Sequence, residues 1–224
     1  MLRFDIVTIF PDVFNSVLNE SILKRAQQKK KVRINVHNLR DYTKDKHRKV
    51  DDRPFGGGPG MVMGPEPIFR TIQKVKGRRK ASVLLMTPSG KPFTQKIAKR
   101  LSKEKNLIII CGHYEGVDDR VRQHLVDESI SIGDYVLTGG EVPAMVIVDS
   151  VTRLIPGVLG KDASLKDESF EHQRLEYPQY TRPANFNGIK VPNVLLSGNH
   201  QSIKNWRERQ SQARTKKIRP DLLK

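Results

Sequence analysis

Three stretches combine the residue types that hold a ligand: Thr87-Pro88-Ser89-Gly90, Gly112-His113-Tyr114-Glu115-Gly116, and Ile132-Gly133-Asp134-Tyr135-Val136-Leu137-Thr138-Gly139-Gly140. Each follows a short apolar run. Glycine lets a backbone come close to a ligand, and loops at strand ends are where α/β sheets bind ligands. Two of the three are longer than a turn requires and carry Tyr and carboxylates besides glycine. The pattern predicts a small-molecule pocket lined by main chain. Glu115 and Asp134 have two readings of equal weight: carboxylates capping nearby amides, or groups that repel wrong ligands and hold a cationic one.

Other chemistries find less support. Gly56-Gly57-Gly58-Pro59-Gly60 has the composition of a phosphate loop, but no Gly-Lys-Ser/Thr follows it and no strand directly precedes it. A turn is the simpler reading, although Asp51, Asp52 and Arg53 beside it favour a functional loop. No G-x-G-x-x-G follows the first strand and no G-x-S-x-G occurs, which disfavours dinucleotide binding and a Ser-His-Asp site. His113 and His124 lack partners at metal-ligand spacing, so no metal site is assigned.

The elements that must position these loops can be read from the spacing of apolar residues. Leu2 to Ile9 predicts a first strand. Pro11-Asp12 opens a helix whose apolar positions Val13, Phe14, Val17, Leu18, Ile22, Leu23 and Ala26 recur at three and four residues. Val32, Ile34 and Val36 alternate as in a strand. From Arg40 to Gly64 the pattern dissolves, and Pro65 to Val75 predicts a short helix. Ser82–Met86 and Leu107–Cys111 are continuous apolar runs, as in strands buried on both faces, and Ser129–Ile132 is a third strand. Helices are predicted at 94–102, 118–125 and 142–154. Strands separated by helices, with runs in place of alternation, predict an α/β fold with a mostly parallel sheet.

Composition sets further bounds. The chain has 224 residues, with 41 Lys+Arg against 24 Asp+Glu, for a net charge of +17. Such an excess favours a polyanionic partner, nucleic acid above all, because clustered cations gain affinity by releasing counterions from phosphates. The excess is +6 from Lys161 onward and +11 before it. No apolar stretch approaches the ~18 residues that span a bilayer. The N-terminus does not read as a signal peptide. Cys111, the single cysteine, ends an apolar run, as a buried thiol in a reducing compartment would. Cytoplasm is the expected location. Past residue 160 the chain turns polar, then basic, with a helix predicted over 201–213 and Asn199 as its N-cap. Lone Trp206 on that helix reads first as a core anchor and second as a base-stacking platform.

Five segments in order carry a resemblance: Asp52–Met61, Cys111–Gly116, Ile132–Glu141, Tyr180-Thr181-Arg182-Pro183 and Leu195–His200. Together they resemble the bacterial tRNA (guanine-N1)-methyltransferases of the SPOUT class, over essentially the whole chain. The resemblance implies a homodimer with a SPOUT-type parallel sheet, a deep trefoil knot and a small helical C-terminal domain. It divides the chain into a catalytic domain at 1–160, a linker at 161–169 and a tRNA-binding domain at 170–224. It implies methyl transfer from S-adenosylmethionine to N1 of guanine 37, just 3′ of the anticodon. Thr87, Pro88, Gly112, Tyr114, Glu115, Gly116, Ile132, Gly133, Tyr135, Leu137, Gly139 and Gly140 match the family's donor-binding positions.

Guanine N1 is protonated at neutral pH and is a poor nucleophile until that proton leaves, so the reaction needs a base. The family's base is an Asp in an Asp-Ser-Phe motif. Here the motif reads Asp167-Glu168-Ser169-Phe170, which makes Glu168 the expected base and Asp167 its competitor. Arg153 matches the family arginine that stabilises charge on the guanine. His113 stands where the family usually has Arg, and Gln173-Arg174-Leu175 replaces its Gly-Leu-Leu. The resemblance further implies that one subunit presents the donor while the other contributes Glu168 and the C-terminal module, which grips the tRNA anticodon stem-loop. It allows for magnesium, for which no sequence feature identifies a ligand. Two other readings stand beside this one: a knotted methyltransferase acting on ribosomal RNA, and an RNA-binding protein with a decayed pocket.

Overall fold

The computed structural model describes residues 1–160 and 168–223. The chain divides into two compact units, Met1–Gly160 and Lys161–Lys224.

The first unit is built on five strands: β1 (Leu2–Thr8), β2 (Val32–Asn38), β5 (Ser82–Pro92), β6 (Asn106–Cys111) and β7 (Glu128–Ser131). They lie in the order β2-β1-β6-β5-β7, and every neighbouring pair is parallel. Two-residue strands β3 (Asp51–Asp52) and β4 (Val62–Met63) form a separate antiparallel ribbon. The helices are α1 (Asn15–Leu18), α2 (Ser21–Gln28), α3 (Pro65–Lys76), α4 (Gln95–Leu101), α5 (Asp119–Leu125) and α6 (Glu141–Thr152).

The apolar runs are explained by burial on both faces. Along β6, Leu107, Ile109 and Cys111 join one core, with Ala98 and Leu101 of α4 and Ala144, Ile147, Val148 and Val151 of α6. Ile108 and Ile110 point the other way, into a core with Ile68, Ile72 and Val75 of α3 and Val121 of α5. A strand sandwiched in this way has no solvent face to fill with polar residues.

One charged group breaks the pattern. Asp5 in β1 is fully buried, and its carboxylate accepts from Arg3 (2.7 and 2.9 Å) and Asn35 (2.9 Å), with His37 Nε2 at 2.9 Å. Burial acts to raise this carboxyl, but the hydrogen bonds from His37, Arg3 and Asn35 outweigh it and hold the group well below the usual carboxylate range.

The helix expected from Pro11 onward is three pieces: a 3₁₀ turn at Pro11–Phe14, then α1, then α2. The Asn19 side chain donates to the Asn15 carbonyl at 2.8 Å, and Gln27 donates to the Leu18 carbonyl at 2.7 Å. These bonds satisfy the carbonyls of the first and last residues of α1, and Glu20 runs extended (φ −122°). Val13 and Val17 stay exposed despite their helical spacing.

The second unit carries a ribbon, β8 (Asn185–Phe186) with β9 (Ile189–Lys190), then α7 (Asn193–Leu196) and α8 (His200–Ile218). Asn199 caps α8, its side chain accepting from the Ser202 amide at 3.0 Å. The ribbon has no counterpart in the sequence reading, and α8 runs five residues past the expected end. Leu175 is pinned to α8 through Thr215 Oγ1 (2.9 Å) and Ser211 Oγ (2.6 Å).

Candidate active site

The second and third glycine loops leave the C-terminal ends of β6 and β7, and the first bulges out of β5, which lies between those two strands in the sheet. Loops at the carboxyl ends of adjacent parallel strands open on one crevice.

The first loop is an excursion within a strand. Met86 and Lys91 both pair with Ile130 of β7, so Thr87–Gly90 bulge out of the ladder between them. Thr87 Oγ1 and Ser89 Oγ meet at 3.0 Å across the bulge. A Cβ on Gly90 would stand 2.6 Å from the Ser129 and Ile130 carbonyl carbons, so no other residue lets the chain return so closely.

The second loop turns through Tyr114 (φ 58°) and Gly116 (φ 116°), closed by Gly116 N–H donating to the His113 carbonyl at 3.0 Å. Its outer side is stitched to β4. Glu115 N–H donates to the Met61 carbonyl (3.0 Å), Met63 N–H to the Gly116 carbonyl (2.9 Å) and Asp118 N–H to the Met63 carbonyl (2.9 Å). The glycine-rich segment at 56–60 therefore leads into a support for this loop. His113 lies edge-on to Phe10 and Tyr114, with ring centroids 5.0 and 4.9 Å away. Its Nδ1 is buried without a hydrogen-bond partner among the described residues.

The third loop starts with Ser131 Oγ donating to the Gly133 carbonyl (2.9 Å) and ends with Gly140 N–H donating to the Gly112 carbonyl (2.8 Å). A bridge between His113 and Gly139 adds a second tie between the loops. Glu141 then opens α6, buried, and accepts from Thr8 Oγ1 at 2.7 Å. That bond anchors the end of the third loop to the end of β1.

These loops enclose a cavity of about 450 Å³, within the size range of sites for small organic ligands. All twelve residues singled out in the sequence line it: Thr87, Pro88, Gly112, Tyr114, Glu115, Gly116, Ile132, Gly133, Tyr135, Leu137, Gly139 and Gly140. Tyr114, Tyr135 and Leu137 remain 43%, 55% and 41% exposed, an apolar rim suited to a flat heterocycle. Glu115 is the singled-out carboxylate in the lining; Asp134 is exposed and outside it. The sequence reading missed Met86, Ser131 and Pro143, which also line the cavity, and Asp119 and Arg122, paired at 2.6 Å. Asp119 and Arg122 stand in the first turns of α5, and only the helix's orientation reveals them.

Arg153 is not among the residues that line this cavity. Arg153 follows α6, half-buried, its N–H donating to the Asp149 carbonyl at 3.1 Å. Glu168 belongs to the second unit, where it lines a cavity with His172, His200 and Lys204. Asp167 lies outside the described residues, as do positions 161–166 of the expected linker.

A family model described as tRNA (Guanine-1)-methyltransferase TrmD matches residues 2–224. The chain belongs to this family. It is 59% identical over 223 residues to a tRNA (guanine-N(1)-)-methyltransferase of Dictyoglomus turgidum, covering 100% of this chain and 90% of that protein. Proteins of the same description from Ruminiclostridium cellulolyticum and Geobacillus kaustophilus are 56% and 57% identical, each over 99% of this chain and over 96% and 91% of their own length.

Proposed function

We propose that this chain transfers the methyl group of S-adenosylmethionine to N1 of guanine 37 in tRNA. One observation carries the reading: three loops that are distant in sequence bring twelve donor-type residues around a single cavity. The cavity fits the donor's chemistry. Backbone N–H and C=O groups of the glycine loops can edge an adenine, Ile132 and Leu137 can sandwich it, and the Glu115 carboxylate suits a cationic ligand. Bound there, the donor supplies a methyl already activated by its sulfonium charge.

The chain's own residues do the rest. Glu168, or Asp167 in its place, accepts the N1 proton, which makes the ring nitrogen nucleophilic. Arg153 stabilises the negative charge that develops on the guanine as the proton leaves. The loops hold the donor in line with N1, converting an encounter into a positioned step. The target base must leave its stack to reach the cavity. Among the described residues, no three His, Cys, Asp or Glu come together to hold a metal ion.

The second unit serves as the tRNA grip, contacting phosphates through the six Lys and Arg of α8. The catalytic unit is knotted and works as a homodimer. The return of the chain from edge strand β7 to α6, packed on β1 and β6, supports the knot. Exposed Phe10, Val13, Val17 and Val142, on or beside the packed Pro11–Phe14 turn and α6, support a covered face. The enzyme works in the cytoplasm, where its tRNA is; no helix among the described residues is long and apolar enough to cross a membrane.

The test is label transfer from methyl-tritiated S-adenosylmethionine to a tRNA transcript with G37. Incorporation with G37 and none with A37 is expected. Equal labelling of both, or preferential labelling of ribosomal RNA fragments, contradicts the assignment.

A further inference from the structure

The second unit holds a cavity of its own, of about 390 Å³, between the segment at 177–182, α7 and α8. Tyr177, Tyr180 and Trp206 wall it, Leu195 and Ile203 add apolar surface, and Arg207 stands at its edge. We propose that this pocket receives one unstacked nucleobase of the RNA that the protein binds. The inference rests on the reading of the substrate as RNA and adds to it a contact with a base, where the charge of α8 accounts only for phosphates.

Three observations carry it. The aromatic rings are not fully enclosed: Trp206 is partly buried, Tyr180 is 50% exposed, and their centroids lie 6.3 Å apart at 56°. Rings so tilted do not cover each other's faces, which leaves π surface open to a flat partner. The pocket edge is cationic, with the Arg207 guanidinium 4.7 Å from the Tyr177 ring centroid, and Arg182 in the lining. An arginine held over an aromatic ring beside an open ring face suits a base joined to a phosphate. Finally, α8 carries six Lys and Arg against one acid, Glu208, so the surface leading to the pocket attracts a polyanion and repels a cationic peptide.

Trp206 is the only tryptophan of the chain, so its emission reports on this pocket in the intact protein. The experiment titrates the full chain with a fluorescently labelled anticodon stem-loop and with a fully paired hairpin of equal length. Anisotropy reads binding and tryptophan emission reads the pocket. Saturable quenching by the stem-loop, and little by the hairpin, is expected. Tyr180→Ala, at a half-exposed position, should weaken stem-loop binding roughly five- to a hundred-fold, the range of one lost base stack. It should weaken hairpin binding far less, a difference that a merely structural role would not produce. Trp206→Phe should retain most of the affinity.

Stem-loop binding with unchanged tryptophan emission overturns the pocket assignment and leaves the tRNA reading standing. Failure to bind or methylate any tRNA overturns both. An emission change that follows protein dilution and not RNA marks a second copy as the occupant, and also overturns the proposal.

Discussion

Replacing Gly140 by alanine tests how closely the second and third loops must approach. The added methyl would stand 2.7 Å from Cys111 Cα, 2.9 Å from Gly112 N and 3.1 Å from Cys111 C. All three are backbone atoms, so no side chain can swing aside. Non-bonded carbons rest at about 3.5 Å or more, so the loops must part by roughly 0.8 Å at the 2.7 Å contact. That movement stretches the 2.8 Å bond from Gly140 N–H to the Gly112 carbonyl, one of the two ties between the loops. Overpacking of this kind costs about 1–3 kcal/mol of stability, and a displacement near 1 Å at a reacting site costs on the order of a hundredfold in rate. Gly140→Ala should therefore weaken S-adenosylhomocysteine binding about tenfold or more and lower kcat/KM by roughly 10- to 100-fold. Calorimetric titration reads the first and label transfer the second, with urea unfolding to verify that the variant folds. Gly160→Ala, whose Cβ would meet nothing within 4 Å, is the control. Wild-type ligand affinity in a folded Gly140→Ala protein would show that the close approach of these loops does not shape the site.

Other consequences follow from buried groups and from the proposed base. The folded Asp5 carboxyl titrates below its unfolded value of about 3.9, so its stabilisation is complete above about pH 4 and is lost as the pH falls through the folded value. Asp5→Asn should cost about 3 kcal/mol at neutral pH and flatten the decline in stability below pH 4; an unchanged acid slope in denaturant titrations refutes this. Burial, with the charge of Glu141 second, pushes the Cys111 thiol well above its usual value. A disulfide reagent at pH 8 should leave it unmodified until the protein unfolds, and rapid modification of the folded protein contradicts that burial. Glu168→Gln should lower kcat by about 10²- to 10⁴-fold with donor affinity retained. If Glu168→Gln keeps the wild-type rate while Asp167→Asn loses it, the base is Asp167.

The core strands were legible because burial on both faces leaves an unbroken apolar run, as in Ser82–Met86 and Leu107–Cys111. The loops that line the cavity were legible because glycine, proline and tyrosine gather where those runs end. What the sequence hid depends on contacts between distant residues. The excursion at Thr87–Gly90 exists because Met86 and Lys91 share one partner, Ile130, a matter of register that no local pattern encodes. The break at Asn19 depends on side-chain amides reaching carbonyls of α1, whereas apolar spacing alone predicts a continuous helix. Met61 supports the second loop by a backbone bond, and Met63 by backbone bonds and through its Sδ, which accepts from His113 N–H at 3.2 Å, contacts that apolar spacing does not encode. Trp206 reads first as a core anchor from sequence; it is partly buried and also lines an aromatic pocket, which the helical spacing around it does not reveal.

A crystal soaked with S-adenosylhomocysteine tests the central claim most directly, since it shows whether the main chain of three strand-end loops forms the methyl-donor socket. The account predicts the adenine between Ile132 and Leu137, bonded to backbone groups of the second and third loops, with the sulfur facing the cavity mouth. A nucleoside bound elsewhere, or loops that stay packed against one another with the ligand excluded, would contradict it.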